Sequence, residues 1–106
     1  MKTLDSAVLD ETVQRLVDEF QPEQIILFGS RAWGLPDEDS DFDLLVIVGS
    51  SDVGPTERAR RAYRSIRGLD VDAEILVKTR AEFDRFRGVP ASLEHKICQE
   101  GKVLYG

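Results

Sequence analysis

Two short apolar runs face each other across a small polar gap. Gln24-Ile-Ile-Leu-Phe28 stops at Gly29-Ser30, and after ten intervening residues Asp41-Phe-Asp43 opens a second run, Phe42 to Val48, apolar except for Asp43. Runs of this length, rich in β-branched residues and bounded by turn-forming ones, are buried strands. The second is apolar on both faces beyond Asp43, which places it centrally in its sheet. Gly29-Ser30 lies at the exit of one strand and the Asp pair at the entrance of the other, so as neighbours the two strands run antiparallel. A glycine lets a ligand approach bare backbone. Two carboxylates at i and i+2 of a strand point to one side, where their hard oxygens suit a divalent cation.

The rest of the chain supplies layers for such a sheet. From about Asp5 to Phe20, Leu9, Val13, Leu16, Val17 and Phe20 recur at helical spacing, with Asp5 or Ser6 as the expected N-cap. Residues 31–40 read as a short helical turn or loop, with Asp37-Glu38-Asp39 expected as a mobile solvated loop that gates the site. A helix is expected over 56–67, with Ala59, Ala62, Tyr63 and Ile66 on its buried stripe and Gly68 at its end. Val71 to Val77 reads as a third strand. Reached through that helix, it runs parallel to the second. Thr79-Arg-Ala-Glu82 is a capping box opening a short helix through Phe86. A last helix follows from Ser92 to Glu100, and Lys102 to Tyr105 is an edge strand. The expected fold is α/β: a small mixed β-sheet with helices packed on it, one domain over 1–106.

With 42% hydrophobic and 32% charged residues the composition is that of a folded domain. Twenty acidic against fourteen basic residues give a net charge of -6, which argues against general nucleic-acid binding. No stretch is apolar enough to span a bilayer or serve as a signal peptide, so the chain is expected in the cytoplasm. One cysteine, Cys98, and one histidine, His95, exclude an internal disulfide and are too few for a structural zinc site. Both are expected on a helix face.

Reaction at a nucleotide phosphate requires the triphosphate to be neutralised and the attacking and leaving oxygens held in line. Two Mg²⁺ ions roughly 3.5 to 4 Å apart, bridged by carboxylates, achieve this. Asp41 and Asp43 are the bridging candidates, and a third carboxylate from the adjoining strand completes one ion. Gly29 gives close approach, Ser30 offers its hydroxyl and backbone N–H to the phosphates, and Arg31 neutralises charge. No Gly-Lys-Ser/Thr follows Gly29, and Gly29 and Gly34 have the wrong spacing for a dinucleotide fingerprint, so neither common glycine-rich phosphate loop is present.

Phe28-Gly-Ser-Arg-Ala-Trp-Gly34, with Ser40-Asp-Phe-Asp-Leu-Leu45, resembles the minimal nucleotidyltransferases of the DNA polymerase beta superfamily, and the ending Glu100-Gly-Lys-Val-Leu-Tyr105 is similar to that family's C-terminus. The resemblance implies a polymerase beta-like fold and Mg²⁺-dependent transfer of a nucleoside monophosphate, with ATP as substrate. Gly29, Ser30, Asp41 and Asp43 match the family's motif residues. It also implies a helical HEPN-type toxin as partner, with this chain as the antitoxin that adenylylates a tyrosine. Glu74 stands where the family carries its third aspartate, and Asp72, two residues earlier, is the alternative. Two other readings stay open: an antitoxin that acts by binding alone, and one chain of a small-molecule nucleotidyltransferase whose acceptor site a second chain completes, as a homo- or hetero-oligomer.

Three further features have two readings each. Arg58, Arg60, Arg61, Arg64 and Arg67 form either a solvated helix face or a docking surface for an acidic partner or RNA. Trp33 either stacks on a base or packs beside the turn. Tyr63, on the apolar stripe, reads as core.

Overall fold

Helices cover both faces of one small sheet, which is why its middle strands are apolar on both faces beyond Gln24 and Asp43. The computed structural model describes residues 3–34 and 41–106, with side chains from residue 6. The elements are α1 (Thr3–Phe20), β1 (Gln24–Phe28), α2 (Ser30–Trp33), β2 (Phe42–Val48), α3 (Pro55–Ser65), β3 (Ala73–Thr79), α4 (Arg80–Arg87), α5 (Leu93–Glu100) and β4 (Lys102–Tyr105). The strand order is β3-β2-β1-β4. β1 is antiparallel to β2 and to β4, while β2 and β3 are parallel through the α3 crossover, as the strand-and-turn pattern predicts.

Strand alternation sorts the core into two layers. Ile25, Leu27, Leu44, Val46, Ile75 and Val77 pack with Leu16, Ala62 and Ile66 from α1 and α3. Ile26, Phe28, Leu45 and Ile47 pack on the opposite face with Phe83 of α4 and Ile97 of α5. Each such side chain, fully buried, stabilises the fold by about 1.5–3 kcal/mol. Gly101 lets the α5–β4 turn close onto β1, since a Cβ there would lie 2.6 Å from the Ile97 carbonyl oxygen and 2.7 Å from Ile26 Cγ2.

Several boundaries differ from the sequence reading. α1 begins at Thr3, so neither Asp5 nor Ser6 is its cap. β3 starts at Ala73 rather than Val71 and continues to Thr79, which both ends the strand and caps α4. Asp37-Glu38-Asp39 lies outside the described residues. Among the described residues no helix is long and apolar enough to cross a membrane.

The arginine-rich helix needs the largest correction. Arg58 is neither solvated nor available for docking, because it is 6% exposed and built into the fold. Its guanidinium donates to the carbonyls of Val53 (3.0 Å) and Val77 (3.2 Å) and to both carboxylate oxygens of Glu82 (2.8 and 3.1 Å). Glu82 closes the expected capping box, accepting from the Thr79 N–H at 2.9 Å while its own N–H donates to Thr79 Oγ1. One buried cation thus joins α3, β3 and α4. Arg60 and Arg61 pair with Glu57 on the helix surface. Tyr63 is not core either: it is 43% exposed, and its hydroxyl accepts the Ile75 N–H at 2.9 Å.

The Arg58 guanidinium, followed by the Thr79 backbone, holds the Glu82 carboxyl well below its ordinary value, at about 2. A carboxyl depressed on folding contributes stability that is complete above its unfolded value of 4.5 and is lost as pH falls toward 2. Glu82→Gln leaves Arg58 buried without a counter-charge. Because the Glu82 side chain is 41% exposed, water screens the pair, and the expected cost is about 2 kcal/mol rather than the larger penalty of a fully buried pair. Urea unfolding at neutral pH measures that loss, and the acid limb of stability between pH 4.5 and 2 is expected to be shallower in the variant.

Candidate active site

The carboxylates come together because three strand ends meet. β1 leaves the sheet at Phe28, whose Cα partner is Asp43, and on the other side of β2 the partner of Asp43 is Glu74. Residues paired in register share a face, so Asp43 and Glu74 lie side by side on the face that Ile26, Phe28 and Leu45 occupy further along. Asp41, two residues before Asp43, emerges on the same side just ahead of β2 and is exposed.

Gly29 meets Asp43 directly. Its φ is +77°, in the left-handed region, and a Cβ at this position would overlap Asp43 Oδ2. Glycine here lets the chain turn into α2 while the aspartate carboxylate lies against the backbone. Ser30 follows as the first residue of α2 and is exposed. The Arg31 guanidinium stacks on the Phe42 ring, 4.3 Å from its centroid, which places a cation beside the residue separating the two aspartates.

The electrostatics are those of crowded anions. Partial burial, then Glu74, then Asp41 push the Asp43 carboxyl above its ordinary value. Asp72 is not among the groups that shift it. Its backbone carbonyl instead accepts the Phe42 N–H at 2.9 Å, pinning the start of β3 to the start of β2. Glu74 is therefore the third carboxylate that Asp43 senses. Among the described residues, however, no three His, Cys, Asp or Glu side chains already converge in metal-holding geometry. The acids are gathered but not closed, as expected when like charges repel and Glu74 is long and exposed.

The donor set still fits a divalent cation. It consists of hard oxygens, partial burial and the neighbouring acids raise one member's pKa, and glycine leaves Asp43 accessible from the turn. Asp41, Asp43 and Glu74 are the residues that would hold such an ion.

Trp33 packs beside the turn instead of offering a free stacking face: its ring lies 6.3 Å from Phe28, with the Lys96 ammonium 4.9 Å from its centroid. Sequence reasoning missed Lys96, because nothing in its own helix signals a partner on α2. His95 and Cys98 sit on α5, as expected. His95 Nδ1 is 2.9 Å from the Arg87 carbonyl oxygen, and Cys98 is exposed.

Comparison with known proteins agrees with this geometry. Residues 11–106 match the family model described as Polymerase beta, Nucleotidyltransferase. Among solved structures, a candidate nucleotidyltransferase from Sulfolobus solfataricus, determined at 1.40 Å, is similar at 30% identity with a TM-score of 0.61; the match covers 74% of this chain and 70% of that one. No functionally curated protein matches.

Two substitutions test the site. A carboxyl raised on folding contributes stability that is complete below its unfolded value of 3.8 and is lost as pH rises through the folded value, so ionised Asp43 costs the fold stability at neutral pH. Asp43→Asn is expected to raise the metal-free Tm at neutral pH by a few degrees and to lose that advantage below pH 3.8, as differential scanning calorimetry would show. Gly29→Ala is expected to cost about 1–2 kcal/mol in urea unfolding from the left-handed backbone alone. It should also weaken Mn²⁺ uptake by displacing the Asp43 carboxylate.

Proposed function

The chain belongs to the polymerase beta nucleotidyltransferase family, and on that premise we propose that it transfers AMP from ATP to a hydroxyl of a partner protein in a Mg²⁺-dependent reaction, with pyrophosphate as the leaving group and the hydroxyl proton released. The observation that carries this reading is the register placing Asp43 between Gly29 and Glu74, with Asp41 on the same side. Asp41 and Asp43 hold the cations, and Glu74 completes the set on the acceptor's side. When bound, the ions supply neutralisation of the triphosphate and activation of the attacking hydroxyl.

The chain's own residues do the positioning. The Ser30 hydroxyl and backbone N–H bind phosphate oxygens at the start of α2, ahead of the Ala32 and Trp33 amides, which donate to the Gly29 carbonyl. Gly29 leaves space for that approach. Arg31, stacked on Phe42, balances charge beside the aspartates. Glu74, exposed at the start of the edge strand, is open to an acceptor arriving from outside and orients its hydroxyl by accepting a hydrogen bond. The proposed acceptor is a tyrosine of a HEPN-type toxin, which makes this chain its antitoxin.

A second reading, neutralisation by binding alone, is favoured by one observation: the carboxylates do not converge as they stand. Incubation with ATP labelled in its α-phosphate, Mg²⁺ and the protein encoded beside this one separates the two. The neighbour is expected to acquire label, and Asp43→Asn is expected to lower the labelling rate by roughly 100-fold or more. Equal labelling by wild type and an Asp41→Asn/Asp43→Asn double variant would remove catalysis. Full protection of cells by that double variant would establish binding as the mechanism.

A further inference from the structure

β3 is an edge strand of the sheet, yet its outer side is not left to water. Strand residues alternate in the direction of their hydrogen-bonding groups. The Asp72 carbonyl faces inward, accepting from Phe42, so residue 74 also faces β2 while 75 and 77 face out. Both outward positions are taken by side chains of α3. Arg58 donates to the Val77 carbonyl at 3.2 Å, and the Tyr63 hydroxyl accepts the Ile75 N–H at 2.9 Å. The Arg58 contact continues into the Glu82 pair that holds α4. The Tyr63 contact joins no such pair, and the residue is 43% exposed.

The Tyr63 bond fixes the peptide unit that joins Glu74 to Ile75. We propose that Tyr63 is a positioning residue for the reaction: by holding that peptide plane from outside the sheet, it sets the direction in which Glu74 leaves the strand toward Asp43. The inference rests on the reading above, in which Glu74 completes the cation-holding set. Glu74 needs such support more than an aspartate would. It has one more rotatable bond, and its side chain is exposed. The backbone from which it projects is therefore the part of its geometry that the protein controls, and edge strands are where that backbone is freest to twist. Ligand-supporting contacts of this kind typically change metal affinity by 10- to 100-fold when removed.

Tyr63→Phe keeps the ring and deletes only the oxygen, leaving the Ile75 N–H without its acceptor. The full chain is titrated with Mn²⁺ by calorimetry, ATP turnover is followed in Mn²⁺ with the protein encoded beside this one as acceptor, and exchange of the Ile75 amide is followed by NMR. For Tyr63→Phe the expected result is Mn²⁺ affinity weaker by roughly tenfold. A lower kcat at unchanged KM for ATP and faster Ile75 exchange should accompany it. A purely structural tyrosine would lower Tm and leave the affinity and the kcat-to-KM split alone, and that outcome overturns the inference. So does an Ile75 amide equally protected in both proteins. Wild type that binds Mn²⁺ and turns over ATP, matched by Tyr63→Phe in both, removes the role of Tyr63 while the proposed function stands. Wild type that does neither removes the proposed function and this inference with it.

Discussion

The register of β2 is the constraint on which everything else depends. Phe42, Leu44, Val46 and Val48 face one core layer while Asp43, Leu45 and Ile47 face the other. Both layers are filled, so the strand has no solvated face onto which it could slide. A slip of one residue would place Asp43 in the position of Leu44, which is fully buried, and would move every apolar side chain to the wrong side. Burying an unpaired carboxylate costs far more than any hydrogen bond the slipped ladder could regain. The apolar packing thus decides where the acid stands, and the antiparallel and parallel partners on either side carry Gly29 and Glu74 to it.

That placement works against stability. Asp43 is partly buried next to two acids, and the fold favours its protonated form. The layers beneath must absorb this repulsion, and they can because Ile25, Leu44, Leu45, Val46 and Ile47 are completely buried close by. Among the described residues the acids are gathered without closing on one another.

The outer edge of the sheet shows a different division of labour. α3 contributes apolar residues to one core layer, as its periodicity requires, and it also closes the free side of β3 with Arg58 and Tyr63. Arg58 makes this contact part of a buried network with Glu82, tying β3 to the start of α4. The arrangement blunts an edge that would otherwise be open to pairing and stiffens the strand that presents Glu74. By contrast, β4 at the far edge keeps Val103 and Tyr105 exposed.

Much of this was legible in the residues. The alternation and turn chemistry of Gln24–Phe28, Gly29-Ser30 and Asp41–Val48 predict two buried antiparallel strands with acids beside a glycine turn, because periodicity and backbone permissiveness are local properties. The capping box at Thr79 and Glu82 is local too. Arg58 and Tyr63 were misread, one as surface and one as core, since their partners lie 19 and 12 residues away on β3 and nothing in the helix itself records a strand edge alongside. Likewise, the sequence reading names Glu74 as the third acid by resemblance, with Asp72 as its alternative. Only the parallel pairing of β2 with β3 set Glu74 opposite Asp43, because register is decided by long-range packing of whole strands and leaves no mark on the spacing of any single one.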